Sequence, residues 1–300
     1  MKHEPVMIRE AIGSLRIDPK GIYVDATLGG AGHSRGILDH LDGGFLIAFE
    51  QDDFAIDYAR NILKDHGDHV IIKSNFRHMK KELEARGIER IDGVLFDLGM
   101  SSFQIDDRER GFSYLADAPL DMRMDRDQEV TARHILNTYE LDELARIFYL
   151  YGEEKKSYPI ARKIIEQRPL TTTGELVAIT DRFNPKSRGH SAKRVFQALR
   201  IAVNDELAAL SEALTASVDL LKPGGRIVVI TFHSLEDRIV KHYFKRMSSS
   251  DMPAGIPAMD EKEPILRTVT RKPIYPSEAE KSVNPRSHSA KLRAAERTSS

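Results

Sequence analysis

Ile22-Tyr23-Val24-Asp25-Ala26-Thr27-Leu28-Gly29-Gly30-Ala31-Gly32-His33-Ser34 is a short β-rich apolar run that ends in an acid and turns, through three glycines, toward a helical pattern. Similar apolar runs recur at Phe45 to Glu50, His69 to Lys73 and Gly93 to Asp97, with helical spacing between them. That rhythm predicts a parallel α/β sheet. A fifth run, Arg226 to Phe232, follows the Lys222-Pro223-Gly224-Gly225 turn roughly 130 residues after the fourth, where a βαβ unit needs only a few tens. An insertion therefore interrupts the sheet. Its helical periodicity shows around Leu141 to Tyr149, Ile160 to Arg168 and Leu176 to Phe183, with Thr172 and Glu175 spaced as a capping box. Val203, Leu207, Leu210, Leu214, Val218 and Leu221 then return the chain to the sheet as one long amphipathic helix or two nearly collinear ones. Past Arg246, Pro253, Pro257 and Pro264 mark a surface loop, and Ile265 to Thr270 and Lys291 to Ala295 are candidates for closing antiparallel strands. The expected division is a sheet domain from 1–105 and 192–300, with an inserted all-helical domain at 106–191.

A chain of 300 residues, 41% of them hydrophobic, can bury a substantial core. Its 45 Lys plus Arg against 46 Asp plus Glu cancel, so any polyanion affinity must come from local patches. The lack of cysteine excludes disulfides, thiolate metal sites, iron-sulfur clusters and cysteine nucleophiles together. Met1-Lys2-His3-Glu4-Pro5 lacks the apolar run of a signal peptide, and no apolar stretch reaches the ~18 residues of a membrane span. A cytoplasmic protein with no membrane partner is expected, as a monomer or homodimer.

The glycine turn lets a ligand approach bare backbone, and free N–H groups at the following helix start suit a pyrophosphate or a methionine carboxylate. A dinucleotide fingerprint would need glycine at position 35, which is Arg35, so the nicotinamide reading weakens. Asp-x-x-x-Gly-Gly-x-Gly resembles instead the first motif of class I S-adenosylmethionine methyltransferases. Glu50, ending the second strand, can accept from both ribose hydroxyls. Phe76 could set a ring against adenine or belong to the core. Asp97 completes a polar row at the carboxyl edge of the sheet, where open α/β folds bind ligands.

Asp97-Leu98-Gly99-Met100-Ser101-Ser102 stands where amino-directed methyltransferases carry an Asp/Asn-Pro-Pro-aromatic tetrad, which aligns an exocyclic amine with the methyl donor. Asp97 can act as the amine acceptor, or be a turn residue at a strand end. Methylation at pyrimidine carbon five normally needs a cysteine adduct, so nitrogen and oxygen acceptors remain. His33 suits cofactor contact better than general-base work. His233 suits substrate contact or local structure equally, with Ser234 as the expected helix cap. The eleven histidines show no metal-ligand spacing, and no catalytic metal is expected.

Arg182, Lys186, Arg188, Lys193, Arg194 and Arg200 occur within one stretch without an acid, and Arg286, Lys291, Arg293 and Arg297 form a second basic region. Two separated patches suit a folded polyanion. Basic runs are also commonly solvated faces. A paired base hides its exocyclic amine, so a looped or extruded base is required.

Longer strings carry a family resemblance over nearly the whole chain. They are His3-x-Pro5-Val6, the glycine turn from Asp25 to Ser34, Asp97-Leu98-Gly99-Met100-Ser101-Ser102-x-Gln104, Arg110-Gly111-Phe112-Ser113, Pro119-Leu120-Asp121-Met122-Arg123-Met124-Asp125, Tyr151-Gly152-Glu153-Glu154, Phe196-Gln197-Ala198-Leu199-Arg200-Ile201 and Phe232-His233-Ser234-Leu235-Glu236-Asp237-Arg238. With these the chain resembles the bacterial 16S ribosomal RNA cytosine-N4 methyltransferase family, called RsmH or MraW. The resemblance implies a class I (Rossmann-like) S-adenosylmethionine methyltransferase sheet with an inserted helical substrate-recognition domain. It also implies N4-methylation of a decoding-centre cytidine, conventionally C1402, in the small ribosomal subunit. Cofactor contacts map onto Ala31, Gly32, His33, Glu50, Phe76, Asp97 and Gln104, with Asp97 also the catalytic candidate. Ser101, Ser102, Arg194, Arg200, His233 and Arg286 are the substrate-binding candidates. The family usually has Asp at Glu50, so altered ribose geometry is expected. Gly189-His190-Ser191-Ala192-Lys193-Arg194 and Arg286-Ser287-His288-Ser289 depart from the usual runs in stretches expected to face RNA. The rival readings are a nucleotide-dependent oxidoreductase and a non-catalytic RNA-binding assembly factor.

Overall fold

The computed structural model describes residues 5–185, 189–249 and 263–299. The chain forms two compact units, Met1–Gly99 with Leu207–Ser300, and Met100–Glu206. In chain order the elements are α1 (Ile8–Leu15), β1 (Ile22–Asp25), α2 (Gly32–Leu38), β2 (Phe45–Glu50), α3 (Asp53–Leu63), β3 (His69–Lys73), α4 (Met79–Glu84) and β4 (Ile91–Asp97). The second unit then supplies α5 (Ser102–Asp106), α6 (Ala132–Thr138), α7 (Leu141–Gly152), α8 (Ser157–Glu166), α9 (Thr173–Phe183) and α10 (Lys193–Asn204). The chain closes with α11 (Glu206–Leu220), β5 (Leu221–Thr231), α12 (Ser234–Met247), β6 (Leu266–Thr268), α13 (Glu278–Val283) and β7 (Lys291–Arg297).

The seven strands lie in the order β3-β2-β1-β4-β5-β7-β6. β1 pairs in parallel with both β2 and β4, so the chain's direction of winding reverses at β1 and the crevice beyond the strand ends opens there. β7 runs antiparallel to both β5 and β6. Both faces of the sheet are covered, which is why its strands read as nearly continuous apolar runs. Val24, Ile47, Phe49, Phe96 and Val229 pack with Leu210, Leu214 and Tyr243 on one face. Tyr23, Leu46, Leu95, Val228 and Ile230 pack with Ala11, Leu15, Ile37 and Leu63 on the other.

Two boundaries differ from expectation, and a third, open between one helix and two, is resolved. β5 begins before the Lys222-Pro223-Gly224-Gly225 turn: Leu221 pairs with Ile91, Arg226 with Gly93, and the turn bulges out of the strand with Gly224 at φ 82°. The return to the sheet is two helices, because Asp205 takes a left-handed conformation at φ 48° and ends α10. The units part near 100 and 206, whereas the sequence suggested 106 and 192. α10 is the cause, since Val195, Phe196, Leu199 and Val203 join Leu144, Phe148 and Ile160 in the core of the helical unit. The expected loop after Arg246 lies mostly outside the described residues.

Gly111 is where the helical unit has least tolerance. Its φ is 69°, and an added Cβ would lie 2.2 Å from the Pro119 carbonyl oxygen, a backbone atom that cannot swing aside. Gly111→Ala should therefore destabilise this unit by at least about 2 kcal/mol. An unchanged urea midpoint would show that the Pro119 carbonyl does not constrain position 111.

Candidate active site

Asp25 ends β1 fully buried. The Thr27 N–H donates to its Oδ1 at 3.0 Å and the Ser34 hydroxyl to its Oδ2 at 2.7 Å, so this acid closes the glycine turn on itself. Burial pushes its carboxyl above the usual range. Gly29 and Ala31 hold φ of 47° and 60° around the bend. Gly32 has a packing reason: a Cβ there would meet Pro5 at 2.8 Å, so its bare Cα faces the chain's own N-terminal segment.

Glu50 turns back onto the same loop. Its Oε1 accepts from the N–H groups of Gln51 (2.8 Å) and Asp52 (3.0 Å), and its Oε2 accepts from Gly29 N–H at 2.9 Å. A carboxylate offers roughly four lone-pair directions. Three are taken, so as it stands Glu50 has room for one ribose hydroxyl and not the two expected. Burial pushes this carboxyl up despite the three donors.

Phe76 sets its ring edge-on to Phe96, with centroids 5.7 Å apart, and packs half-buried against the core of the sheet. Asn75 braces the turn, accepting from Arg77 N–H and donating to Gln51 Oε1.

At the end of β4, the Asp97 N–H donates to Thr27 Oγ1 at 2.7 Å, which ties the two strand ends together. Asp97 Oδ2 lies 3.4 Å from His33 Nδ1. Asp97 Oδ1 is buried and has no hydrogen-bond partner among the described residues. A buried acceptor left unmet costs about 1–3 kcal/mol, more if charged, and an incoming donor recovers it. His33 is only 4% exposed, and its Nε2 sits 3.0 Å from the Val6 carbonyl oxygen. Both ring nitrogens therefore face protein groups, and a cofactor contact by this residue falls to its backbone.

The remaining candidates divide. Ser101 and Gln104 form a capping box at the start of α5: Ser101 Oγ accepts from Gln104 N–H, and buried Gln104 returns its Oε1 to Ser101 N–H. The Ser102 side chain is outside the described residues, as are Lys186 and Arg188 of the first basic stretch. Arg194 is exposed on α10. Arg200 is not available to phosphate: it is 9% exposed and forks onto Glu206 with two 2.8 Å bonds. His233, not Ser234, is the N-cap of α12, and its Nε2 lies 3.0 Å from Glu236 Oε1. In the C-terminal basic region Arg286 is exposed at the surface, and Lys291 and Arg293 are both paired with Asp237. Thr27 and Val6 stand in quoted strings, but their roles as partners of Asp97 and His33 are not named by them. The Asp25-x-Thr27 spacing of an Asx-turn was a usable sign for the first; nothing local announced the second.

Parallel strands finished by an antiparallel β7 lodged between β5 and β6, with acids at the carboxyl ends of β1, β2 and β4, define a class I methyltransferase. Residues 1–298 match the model of the MraW methylase family. Ribosomal RNA small subunit methyltransferase H 1 of Acholeplasma laidlawii is 54% identical over 299 residues, covering 100% of both chains. Ribosomal RNA small subunit methyltransferase H of Streptococcus equi subsp. equi is 52% identical, covering 98% of this chain and 96% of its own. Among solved structures, an rRNA methylase from Streptococcus thermophilus aligns over 99% of each chain with TM-score 0.45 and 11% identity. The chain belongs to the MraW methylase family.

Proposed function

We propose that the chain transfers a methyl group from S-adenosylmethionine to the N4 amine of a cytidine in 16S ribosomal RNA of the small ribosomal subunit, a cytoplasmic substrate. The observation that carries the chemistry is the buried, unpartnered Asp97 Oδ1 at the switch point of the sheet. Its relatives named as small-subunit rRNA methyltransferases support the substrate class.

The residues present fit the cofactor. Glu50 has one acceptor direction left for a ribose hydroxyl, Phe76 offers a half-buried ring, and the Gly29 bond to Glu50 brings the glycine turn that leads to Ala31 and Gly32 against that carboxylate. When bound, S-adenosylmethionine supplies a methyl carbon made electrophilic by a sulfonium sulfur, which keeps the electron pair of the broken bond. Asp97 Oδ1 accepts one N4 hydrogen and so aims the nitrogen lone pair; its negative charge stabilises the cation that develops as the new N–C bond forms, and the N4 proton it holds then passes through Oδ1 to water. Exposed Arg194 and Arg286 are the proposed phosphate contacts. A nitrogen acceptor also agrees with the absence of cysteine, which removes the usual adduct route to carbon five.

Small subunits incubated with the protein and isotopically labelled S-adenosylmethionine should yield N4-methylcytidine on nucleoside mass spectrometry. Label at carbon five, or no methylated cytidine with either subunits or naked 16S RNA across magnesium concentrations, would overturn the proposal.

A further inference from the structure

We propose that His33 is a positioning residue for Asp97: a proton on His33 Nδ1 holds Asp97 Oδ2, leaving Oδ1 as the ionised acceptor for the amine. The role of Asp97 rests on the methyl-transfer reading above; the proton between the two side chains does not.

The proton count follows from the neighbours. The Val6 carbonyl can only accept, so His33 Nε2 must carry a hydrogen. A neutral ring would then turn the bare lone pair of Nδ1 toward a carboxylate oxygen 3.4 Å away, which is repulsive. One more proton between the ring and Asp97 removes that conflict. Among the described residues the titratable groups facing His33 are Asp97 on β4 and Asp25 on β1, and both favour the imidazolium. Burial of the ring opposes the charge, but the two acids outweigh it, and His33 titrates above its ordinary range. The network also fixes where Asp97 points. Its backbone is tied to Thr27 Oγ1, Thr27 N–H is tied to Asp25, and the ring is tied to Val6, so among the described residues Oδ1 is the one carboxylate atom of the group without a protein partner. Because the histidine value is raised, the paired state is complete below the unfolded value and is lost as pH rises through the folded one. Methyl transfer should therefore fall along an alkaline limb set by His33.

Two substitutions separate the two ring nitrogens. Asparagine places its amide nitrogen near the position of Nδ1 and can donate to Asp97; glutamine reaches the position of Nε2 and can donate to Val6 only. His33→Gln should lower kcat by about 100-fold through a misplaced Asp97. His33→Asn should exceed it by about tenfold in kcat and lack the alkaline limb, because an amide does not titrate there. S-adenosylhomocysteine affinity by calorimetry should change by less than about threefold, roughly 0.6 kcal/mol, in either variant. Thermal melts check that both fold. Ring-nitrogen NMR of the wild-type protein should show His33 protonated at both nitrogens at neutral pH, and its titration should move down in Asp97→Asn. The proposal fails if glutamine rescues and asparagine does not, if the loss appears as weakened S-adenosylhomocysteine binding, or if Nδ1 is bare at neutral pH. Should the wild type methylate no cytidine, the functional reading falls alone, and the nitrogen shifts still decide the His33–Asp97 proton.

Discussion

Asp97→Asn is expected to lower kcat by about 10²–10³-fold, a larger change than any it makes to S-adenosylhomocysteine affinity. The substitution is nearly isosteric, and its backbone N–H can still donate to Thr27 Oγ1, so the end of β4 should stay in place. What it removes is charge. An amide oxygen can still accept a hydrogen from the N4 amine, but it cannot balance the cation that develops on the nitrogen. The amide would also donate to a His33 ring that no longer needs its second proton, which removes the alkaline limb together with the rate. Single-turnover kinetics isolate the effect from product release. Full activity in Asp97→Asn, at any pH between 6 and 9, would take this residue out of the chemistry and leave its unpartnered oxygen without an explanation.

The strands were legible because their apolar runs are bounded by acids and glycines, and β1, β2 and β3 fall where the alternation puts them. α9 starts at its capping box for the same local reason, Thr172 and Glu175 being three residues apart. Boundaries that depend on a distant partner were not legible. The Lys222 to Gly225 turn looks like a strand start until Ile91 is found holding Leu221 on its far side. Apolar spacing runs through Asp205 unbroken, so the left-handed residue that separates α10 from α11 leaves no trace in the pattern.

The site shows the same division. Which acids end strands could be read directly; which donors they satisfy could not. Glu50 looked like a free ribose ligand because its bond to Gly29 joins the ends of two separate strand-loop units. His33 reads as a cofactor ligand because its anchor is the backbone carbonyl of Val6, 27 residues away, and the His3-x-Pro5-Val6 string does not say which side chain that carbonyl meets. Charge counting misled for a related reason. A cluster of lysines and arginines is a phosphate site only to the extent that acids elsewhere leave it unpaired, and Asp237 claims two members of the C-terminal group.

Arg200→Ala should destabilise the helical unit by about 3–5 kcal/mol, because it takes from the largely buried Glu206 carboxylate its bidentate guanidinium partner. Both side chains are nearly buried, at 11% and 13% exposed, and the pair is bidentate, the geometry in which an ion pair holds its partner most tightly. The surrounding bonds concentrate the loss: Asn204 donates to the Arg200 carbonyl and to the Met122 carbonyl, so the end of α10 and the loop at Met122 depend on one small cluster. Arg194 gives the contrast. It lies exposed on the same helix, and Arg194→Ala should leave the urea midpoint within about 0.5 kcal/mol. If it touches phosphate, its loss should instead reduce the slope of log affinity against log salt by about one for a 16S RNA fragment. The two variants thus separate along two axes, midpoint for Arg200 and salt slope for Arg194. An Arg200→Ala protein with an unaltered midpoint and a flattened salt slope would reverse the assignment and return Arg200 to the RNA.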